Sequence, residues 1–405
     1  MAVGLPPLPT LHPVPGVRCG AVAAGIRKPG RADLVLFELA GTAVTAALFT
    51  RNRFRAAPVR VAEAHLAAQA PRYLLVNTGN ANAGTGEGGL AAARRCCAAL
   101  AERAGVPATA VLPYSTGVIG ESLPADRIVG ALPALLDALD ADGWAAAASG
   151  ILTTDTAPKG ASLAPTAERP WVLTGIAKGA GMIRPDLATM LAYVATDAPL
   201  SPAVARAVLA EAVDASFNRI TVDGDTSTND AVTLAATGAA GGPLLDDPAA
   251  PAVRALAADL TALCRTLAQA IVRDGEGATR FVTVTVDGGA TNAEALAVAY
   301  AVAGSPLVKT ALFAGDPNWG RILAAIGRAG IGDLDVDGVT LWLGDVLVAE
   351  RGGVADGYRE ADGARVMAEA EISIRIDLGR GDAVERVWTT DLSHEYVKIN
   401  AEYRS

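Results

Sequence analysis

The sequence contains few histidines, cysteines and aromatic residues. Three histidines and four cysteines in 405 residues give little material for a metal centre or a disulfide scaffold. No G-x-S-x-G, H-E-x-x-H or paired C-x-x-C pattern occurs, which argues against the common hydrolase and metalloprotease sites. Cys96 and Cys97 are adjacent in an Ala-rich stretch, so we expect buried free thiols. We also expect neither a bound metal nor a cofactor.

Long apolar runs and basic clusters are missing as well. The mean hydropathy is +0.31, but the longest candidate run, residues 295–303, stops at Gly304, far short of the roughly 18 apolar residues of a spanning helix. The first 15 residues have no positive region ahead of their apolar residues, unlike a secretory signal. The net charge of −9 and the lack of Lys/Arg clusters argue against nucleic acid. We therefore expect a cytoplasmic protein, without membrane or nucleic-acid partners, that acts on small molecules.

The pattern of apolar residues predicts an α/β protein. In the first half, short apolar runs at 43–49, 73–76 and 111–112 alternate with helically spaced stretches at 88–104 and 125–139. Later residues repeat with period two, which predicts half-buried antiparallel strands. These sets are Val282/Val284/Val286, Val339/Leu341/Leu343 and Ile372/Ile374/Ile376/Leu378. Further helical stretches at 202–215, 251–270 and 318–329 favour layered sheets with helices on their outer faces.

Two local motifs carry little weight. Residues 84–89 match G-x-G-x-x-G, but residues 77–83 separate them from the preceding predicted strand, whereas a dinucleotide site needs these glycines directly after the strand. Residues 223–230 resemble a calcium loop, yet Thr228 stands where the sharp turn requires glycine. A polar turn explains this second stretch equally well.

Three further stretches are dense in Gly, Thr, Asn and Lys. Residues 77–83 and 115–120 each follow a predicted strand and would present N–H and hydroxyl donors of the kind an oxyanion site uses. Tight turns are the simpler explanation for either stretch alone. In residues 178–191, a Gly-rich loop leads to Thr189 and the apolar strand 190–194. A threonine becomes a useful nucleophile when its own freed amine acts as the base, although spacing alone favours an ordinary strand-starting threonine.

Taken together, the motifs resemble the ornithine acetyltransferase family of arginine biosynthesis, whose members cut themselves at an Ala-Thr bond. The resemblance covers essentially the whole chain. Nine stretches match in the family's order: residues 52–59, 77–83, 115–120, 153–155, 178–191, 223–230, 275–279, 315–321 and 397–403. The chain departs from the family at Thr78 and Ala180, where serine is frequent, and at Ser405, where threonine is common.

The resemblance implies cleavage between Ala188 and Thr189, giving an alpha chain of residues 1–188 and a beta chain of residues 189–405. It implies that Thr189 is the nucleophile and that Thr116 and Gly117 form the oxyanion hole. The implied substrate site consists of Thr154, Lys178, Thr189, Glu276, Asn400 and Ser405. The implied fold is an αββα layered sandwich similar to the N-terminal-nucleophile hydrolases, assembled as a heterotetramer of two alpha and two beta chains.

The implied reaction moves acetyl from N2-acetylornithine to glutamate through an acetyl-threonine intermediate. Acetyl-CoA is a second candidate donor, since some family members accept it and others do not. Two alternatives remain open. The protein could be an amidase or aminopeptidase of the related self-processing folds, with water as acceptor, or an uncleaved and inactive binding protein.

Overall fold

The structure is a computed structural model that describes residues 2–27, 30–184 and 190–402. Within these ranges the chain forms two compact units. The larger unit contains residues 6–218 and 225–271, and the smaller unit contains the described residues before Pro6, residues 219–224 and residues 272–402. The larger unit therefore includes residues from both sides of the 188/189 bond, so the two units are distinct from the two fragments that cleavage would give.

The larger unit contains nine named strands in two sheets. They are β1 (Val17–Val22), β2 (Leu34–Leu39), β3 (Val44–Phe49), β4 (Tyr73–Asn80), β5 (Val111–Val118), β6 (Lys159–Leu163), β7 (Leu173–Lys178), β8 (Leu191–Thr196) and β9 (Ala231–Ala236). One sheet has the order β1-β2-β4-β5 and the other β3-β9-β8-β7-β6. The pairs β4/β5 and β8/β9 are parallel, which brings the ends of consecutive parallel strands to one edge of each sheet.

The named helices of this unit are α1 (Ala57–Ala68), α2 (Gly86–Ala104), α3 (Ala125–Asp137), α4 (Trp144–Gly150), α5 (Pro202–Asp214) and α6 (Pro251–Arg273). Four of them, α2, α3, α5 and α6, match predicted helical stretches closely, whereas α1 and α4 were not predicted. Local signals set the ends of the helices. Ser201 caps α5 by accepting the Val204 N–H, with Pro202 in the first turn. Gly105 ends α2 at φ 66°, a conformation that favours glycine.

The two sheets pack face to face around an apolar core. Phe37 of β2 stacks on Tyr193 of β8 at 4.8 Å between ring centroids, and Tyr114 of β5 meets Tyr193 edge-on at 5.3 Å. These geometries are favourable for buried aromatic pairs. The core between the sheets therefore consists of side chains from both inner faces.

Helices cover both outer faces. Leu100 of α2 and Ile128 of α3 join a second buried cluster with outward-facing residues of β2 and β4. On the other sheet, a Cβ on Gly175 would lie 2.9 Å from Leu263 and 3.2 Å from Leu267 of α6, so that helix lies directly on β7. This order of layers confirms the expected αββα sandwich.

The smaller unit is a six-stranded sheet with helices. Its strands are β10 (Phe281–Gly289), β11 (Thr340–Leu343), β12 (Val346–Glu350), β13 (Gly353–Val354), β14 (Glu371–Asp377) and β15 (Ala383–Thr390), in the order β13-β12-β11-β14-β10-β15. Its helices are α7 (Asn292–Ala303), α8 (Pro306–Ala314), α9 (Trp319–Gly327), α10 (Glu360–Met367) and α11 (His394–Ala401).

The period-two sets predicted from the sequence lie on the buried face of this sheet. All three sets belong to one core cluster with residues of α7, α8, α9 and α10. The expectation of antiparallel strands is wrong for one pair, because β10 and β14 run parallel. A long connection containing four helices and the β11/β12 hairpin separates these two strands in the chain, and such a crossover permits parallel pairing.

Two apolar helical regions have the length and composition of a membrane span. By length and composition alone α6 could cross a membrane, and a second candidate, the pair α7 and α8, is bent by 55°. In the most apolar 18-residue window of α6, 56% is buried inside the protein, as its contacts with β7 require. The prediction of free thiols is confirmed, since Cys19, Cys96, Cys97 and Cys264 are all unpaired and buried.

Candidate active site

The ends of β4 and β5 lie side by side in the first sheet of the larger unit. Thr116 pairs with Thr78, and Gly117 pairs with Gly79. The prediction that residues 77–83 and 115–120 come after the ends of their strands is partly wrong, because β4 continues through Asn80 and β5 through Val118. Segments rich in Asn, Gly and Thr have weak or mixed strand propensity. Hydrogen bonding to the neighbouring strand therefore extends β4 and β5 into these segments.

Gly117 allows the two strands to approach closely. Its φ is +135°, and a Cβ at this position would lie 2.3 Å from the carbonyl carbon of Gly79. Side chains cannot occupy such a position. A glycine is therefore required beside Thr116, and a register irregularity of β4 at Gly79 and Asn80 accompanies it.

Asn229 fixes the backbone next to Thr116. Its amide Nδ2 donates to the carbonyl oxygens of Ala81 at 2.6 Å and Ser115 at 2.9 Å. Both bonds are buried, where unpaired polar groups are costly. No local sequence signal identifies Asn229, because the stretch 223–230 has the composition of a polar turn or a calcium loop.

Lys178 brings a buried cation to Thr116. It is the last residue of β7 and is only 8% exposed. Its Nζ donates to Thr116 Oγ1 at 3.1 Å. The structure thus places two of the sequence-predicted site residues, Thr116 and Lys178, within hydrogen-bond distance although 62 positions separate them in the chain.

A buried ion pair supports the end of β7. Asp155 Oδ1 accepts hydrogen bonds from Lys159 Nζ and from the Gly179 N–H, each at 2.7 Å, and both charged side chains are fully buried. Burial alone would raise the pKa of Asp155, but the charges of Lys159 and Lys178 together with these donors hold it well below its usual range. Thr154, another predicted site residue, directly precedes Asp155 and is partly exposed.

We expect the Asp155→Asn variant to be less stable by about 3–5 kcal/mol at pH 7, because it leaves the buried Lys159 cation without a counter-charge. Urea unfolding followed by circular dichroism measures this loss. Asp142→Asn, at an exposed position, is the matched control and should change the free energy of unfolding by less than about 0.5 kcal/mol. An Asp155→Asn variant as stable as the control would contradict the assignment of this pair as a structural anchor.

The same variant gives a pH test. The folded-state pKa of Asp155 is lowered. The contribution of ionised Asp155 to the free energy of unfolding is therefore fully present above the unfolded pKa of about 4, and it is lost as the pH falls further. The stability of the parent protein should therefore decrease more steeply below pH 4 than that of Asp155→Asn. Parallel curves would contradict the lowered pKa.

Asp230 is a second buried carboxyl near Lys178. Burial raises the pKa of Asp230 well above its usual value, while hydrogen bonds from Ser227 and the charge of Lys178 act in the opposite direction. Within the described ranges, its Oδ2 has no hydrogen-bond partner. Asp230 directly precedes β9, where the Ala231 N–H donates to the Met190 carbonyl at 2.9 Å. No individual role for Asp230 follows from the sequence alone.

In the smaller unit, Glu276 and Asn400 come together. Asn400 Nδ2 donates to Glu276 Oε2 at 2.7 Å, and Glu276 is only 7% exposed. The turn around Glu276 is held in place because Ser393 Oγ donates to the Gly277 carbonyl at 2.6 Å. Asp391 also accepts the Thr279 N–H and hydroxyl. Two more of the sequence-predicted site residues are therefore direct neighbours.

The smaller unit also contains a buried lysine, Lys309, which is 3% exposed. Lys309 of α8 donates from Nζ to the hydroxyls of Thr389 and Thr390, each at 3.1 Å, and to the Thr390 carbonyl. Burial lowers the pKa of Lys309 to about 7, although the charges of Asp391 and Asp223 act to raise it. Lys309 thus titrates near neutral pH in the folded protein.

We expect Lys309 to make stability depend on pH above neutrality. Between the folded pKa of about 7 and the unfolded value of about 10.4, the unfolded chain binds more protons, so the free energy of unfolding rises with pH. Unfolding curves at pH 7, 8 and 9 should show a smaller rise for Lys309→Met than for the parent. The exposed Lys398→Met is the control, and an identical rise in Lys309→Met would contradict the lowered pKa.

Three predicted residues, Ala188, Thr189 and Ser405, lie outside the described residues. Within the described ranges, no group of three or more His, Cys, Asp or Glu side chains could hold a metal ion. The G-x-G-x-x-G match at 84–89 spans the start of α2 rather than the end of a strand. The expectations of no metal and no cofactor stay predictions.

Comparison with known proteins gives one family. The model of the ArgJ family matches residues 18–405. The arginine biosynthesis bifunctional protein ArgJ of Pseudomonas syringae pv. tomato is 59% identical and that of Pseudomonas fluorescens 58% identical, each over the full length of both chains. A solved structure of arginine biosynthesis bifunctional protein argJ from Bacillus halodurans is 38% identical with a TM-score of 0.51, covering 53% of this chain and 100% of that chain.

Proposed function

This chain belongs to the ArgJ family, and from that premise we propose that it transfers acetyl from N2-acetylornithine to glutamate after cutting itself between Ala188 and Thr189. The products are ornithine and N-acetylglutamate. Thr189 carries the acetyl group between the two half-reactions, which gives ping-pong kinetics.

The observation that carries this proposal is the contact between Lys178 Nζ and Thr116 Oγ1 at 3.1 Å. Because the Thr116 oxygen accepts a hydrogen bond from a buried ammonium, its own O–H is left to donate elsewhere and is polarised by the cation. Such a fixed donor beside Gly117 suits the oxygen that becomes negative when a carbonyl is attacked.

The chemistry begins with self-cleavage. The Thr189 hydroxyl attacks the Ala188 carbonyl, the acyl group moves from nitrogen to oxygen, and water hydrolyses the resulting ester. This step frees the α-amine of Thr189, whose ordinary pKa is about 8. A large share of this amine is neutral near pH 7–8, so it can accept the hydroxyl proton in the next reaction.

The transfer then proceeds in two halves. The Thr189 oxygen attacks the acetyl carbonyl of N2-acetylornithine, the amine takes the hydroxyl proton and returns it to the leaving nitrogen, and ornithine departs. The amine of glutamate next attacks the acetyl ester and releases N-acetylglutamate. In both halves the Thr116 hydroxyl and the Gly117 N–H stabilise the tetrahedral oxyanion.

We assign the remaining residues by charge. Both amino acids have an α-carboxylate, for which the buried Lys178 cation is a suitable partner. Glu276, oriented by Asn400, suits the side-chain ammonium of ornithine. Thr154 and Ser405 complete the proposed set. The assembly that we propose is a heterotetramer of two alpha and two beta chains.

The size of the solved relative supports cleavage. The complete Bacillus halodurans chain corresponds to 53% of this sequence. The proposed beta chain has 217 of 405 residues, a share of about 54%. A relative whose whole chain has this length is compatible with a protein that exists as two fragments.

The experiment that tests the proposal is product analysis. The purified protein is incubated with N2-acetylornithine and glutamate, and N-acetylglutamate and acetate are measured separately. We expect N-acetylglutamate in step with ornithine release, and little ornithine when glutamate is omitted. Acetate as the main product would favour the amidase alternative, and no turnover from an uncut chain would favour the inactive binding protein.

A further inference from the structure

The side chain of Asn229 joins the two sheets of the larger unit close to Thr116. Asn229 precedes β9 of the second sheet by two residues, and its amide reaches the ends of β4 and β5 in the first sheet. Its Nδ2 donates both of its hydrogens across this gap, to the carbonyl of Ala81 directly after β4 and to the carbonyl of Ser115 within β5. One neutral side chain therefore sets the spacing of the sheets at the candidate site.

Asn229 is itself held on every side. Thr228 Oγ1 donates to Asn229 Oδ1 at 2.7 Å, so the amide oxygen is bonded as well as the amide nitrogen. The neighbouring backbone is anchored too, because the Ala56 N–H donates to the Thr228 carbonyl at 2.9 Å and the Thr50 N–H to the Asp230 carbonyl at 3.0 Å. Asn229 is only 6% exposed. A rotation of its amide would break three buried hydrogen bonds, which favours a single orientation.

The bond to Ser115 orients the peptide group that leads into Thr116. A peptide group is planar, so a bond that fixes the Ser115 carbonyl also fixes the plane of the Thr116 N–H. The Thr116 hydroxyl is held separately, by the hydrogen bond from Lys178 Nζ at 3.1 Å. Lys178 and Asn229 both belong to the second sheet or lie next to its strands. Thr116 is therefore tied to the opposite sheet through its backbone and through its side chain.

Asn229 is also connected to the strand that follows the proposed nucleophile. The Ala231 N–H, two residues after Asn229, donates to the Met190 carbonyl at 2.9 Å where β9 begins to pair with β8. Met190 directly follows Thr189 in the sequence. An oxyanion donor works only when it lies about 3 Å from the oxygen that becomes negative. The distance between the β5 end and the β8 start is therefore a catalytic dimension.

We propose that Asn229 is a positioning residue for the oxyanion site, which holds the Thr116 hydroxyl at the spacing from β8 that the tetrahedral intermediate requires. It acts through Thr116 and not on the substrate. The same spacing serves self-cleavage and both halves of the transfer, since a tetrahedral oxyanion forms in each. This inference rests on the proposed function, because it needs Thr116 to be the oxyanion donor.

The test is the Asn229→Leu variant, which keeps the size of the side chain and removes its three hydrogen bonds. We expect kcat, measured on the cleaved fraction, to fall at least about tenfold, since a misplacement of about 1 Å costs up to about 10²-fold. The KM values for N2-acetylornithine and glutamate should stay within about threefold, because the donor acts mainly on the transition state.

Thr233→Val is the matched control. The hydroxyls of Thr233 in β9 and Tyr114 in β5 lie 2.9 Å apart and form another buried hydrogen bond between the same two sheets. The variant removes this bond without freeing a carbonyl beside Thr116. We expect its kcat to stay within about threefold of the parent, as for a buried change away from the reacting groups.

A double-mutant cycle with Thr116→Val separates positioning from general destabilisation. If Asn229 acts through Thr116, Asn229→Leu should lower the kcat of the Thr116→Val protein by less than about threefold further. A purely structural role would lower kcat by the same factor in both backgrounds. Equal factors, an unchanged kcat in Asn229→Leu, or a raised KM with unchanged kcat would each overturn the inference.

Folding and the proposed function are controlled separately. A thermal melt identifies an Asn229→Leu protein that does not fold, in which case Asn229→Ser, whose hydroxyl can still donate to one carbonyl, takes its place in the same cycle. A parent that makes no N-acetylglutamate, or a Thr116→Val protein with an unchanged kcat, would count against the proposed function. Expected behaviour of both together with a normal Asn229→Leu protein would overturn this inference alone.

Discussion

The Thr189→Ala variant is expected to remain a single chain of 40.9 kDa that transfers no acetyl group. Without the hydroxyl there is no attack on the Ala188 carbonyl, no freed amine and no acetyl ester. Removing both nucleophile and base should lower kcat by at least about 10⁴-fold. A denaturing gel measures the cut, and ornithine release from N2-acetylornithine measures the activity.

Two further variants make this result specific. Thr189→Ser retains a hydroxyl and, after cleavage, an α-amine, so we expect it to cut itself and to keep measurable transfer. Thr226→Ala, at a threonine outside the proposed machinery, should behave as the parent. A Thr189→Ala protein that is cut or that transfers acetyl at a normal rate would contradict the assignment of the nucleophile.

The second large effect is expected at Thr116. The Thr116→Val variant keeps the shape of the side chain but removes the hydroxyl that accepts from Lys178. Loss of one oxyanion donor lowers kcat by about 10²–10³-fold, with little change in KM because the donor acts mainly on the transition state. Rates are measured on the cleaved fraction of the variant, since the same donor also serves the cleavage step.

Thr78→Val is the matched control for this prediction. Thr78 pairs with Thr116 in the neighbouring strand and is buried, so both variants place an extra methyl group at the same level of one sheet. We expect the kcat of Thr78→Val to stay within about threefold of the parent. Equal losses in both variants would indicate a disturbed sheet instead of a lost oxyanion donor.

Much of the fold follows from local sequence patterns. The alternating valines of β10 and isoleucines of β14 identify strands because period two places them on one buried face. Helix α5 follows from Ser201 and Pro202 at its start. The parallel pairing of β10 with β14 could not be predicted in this way, because it depends on the path of some eighty intervening residues.

The site is harder to predict, because its contacts join distant residues. Lys178 and Thr116 are 62 positions apart, and Asn229 is 114 positions from Ser115. No local pattern encodes such pairs. Local composition indicated the stretches 115–120 and 178–191, but only the family resemblance assigned roles to Thr116, Lys178, Glu276 and Asn400. The buried carboxyls of Asp155 and Asp230 were not recognised, since their burial arises from the packing of separate strands.

Mass spectrometry of the intact protein, before and after addition of N2-acetylornithine without glutamate, tests the central claim most directly. We predict two polypeptides, residues 1–188 and 189–405, and a gain of one acetyl group on the second polypeptide alone. Addition of glutamate should remove that acetyl group. A folded protein that stays in one piece yet moves acetyl from N2-acetylornithine to glutamate would contradict the account.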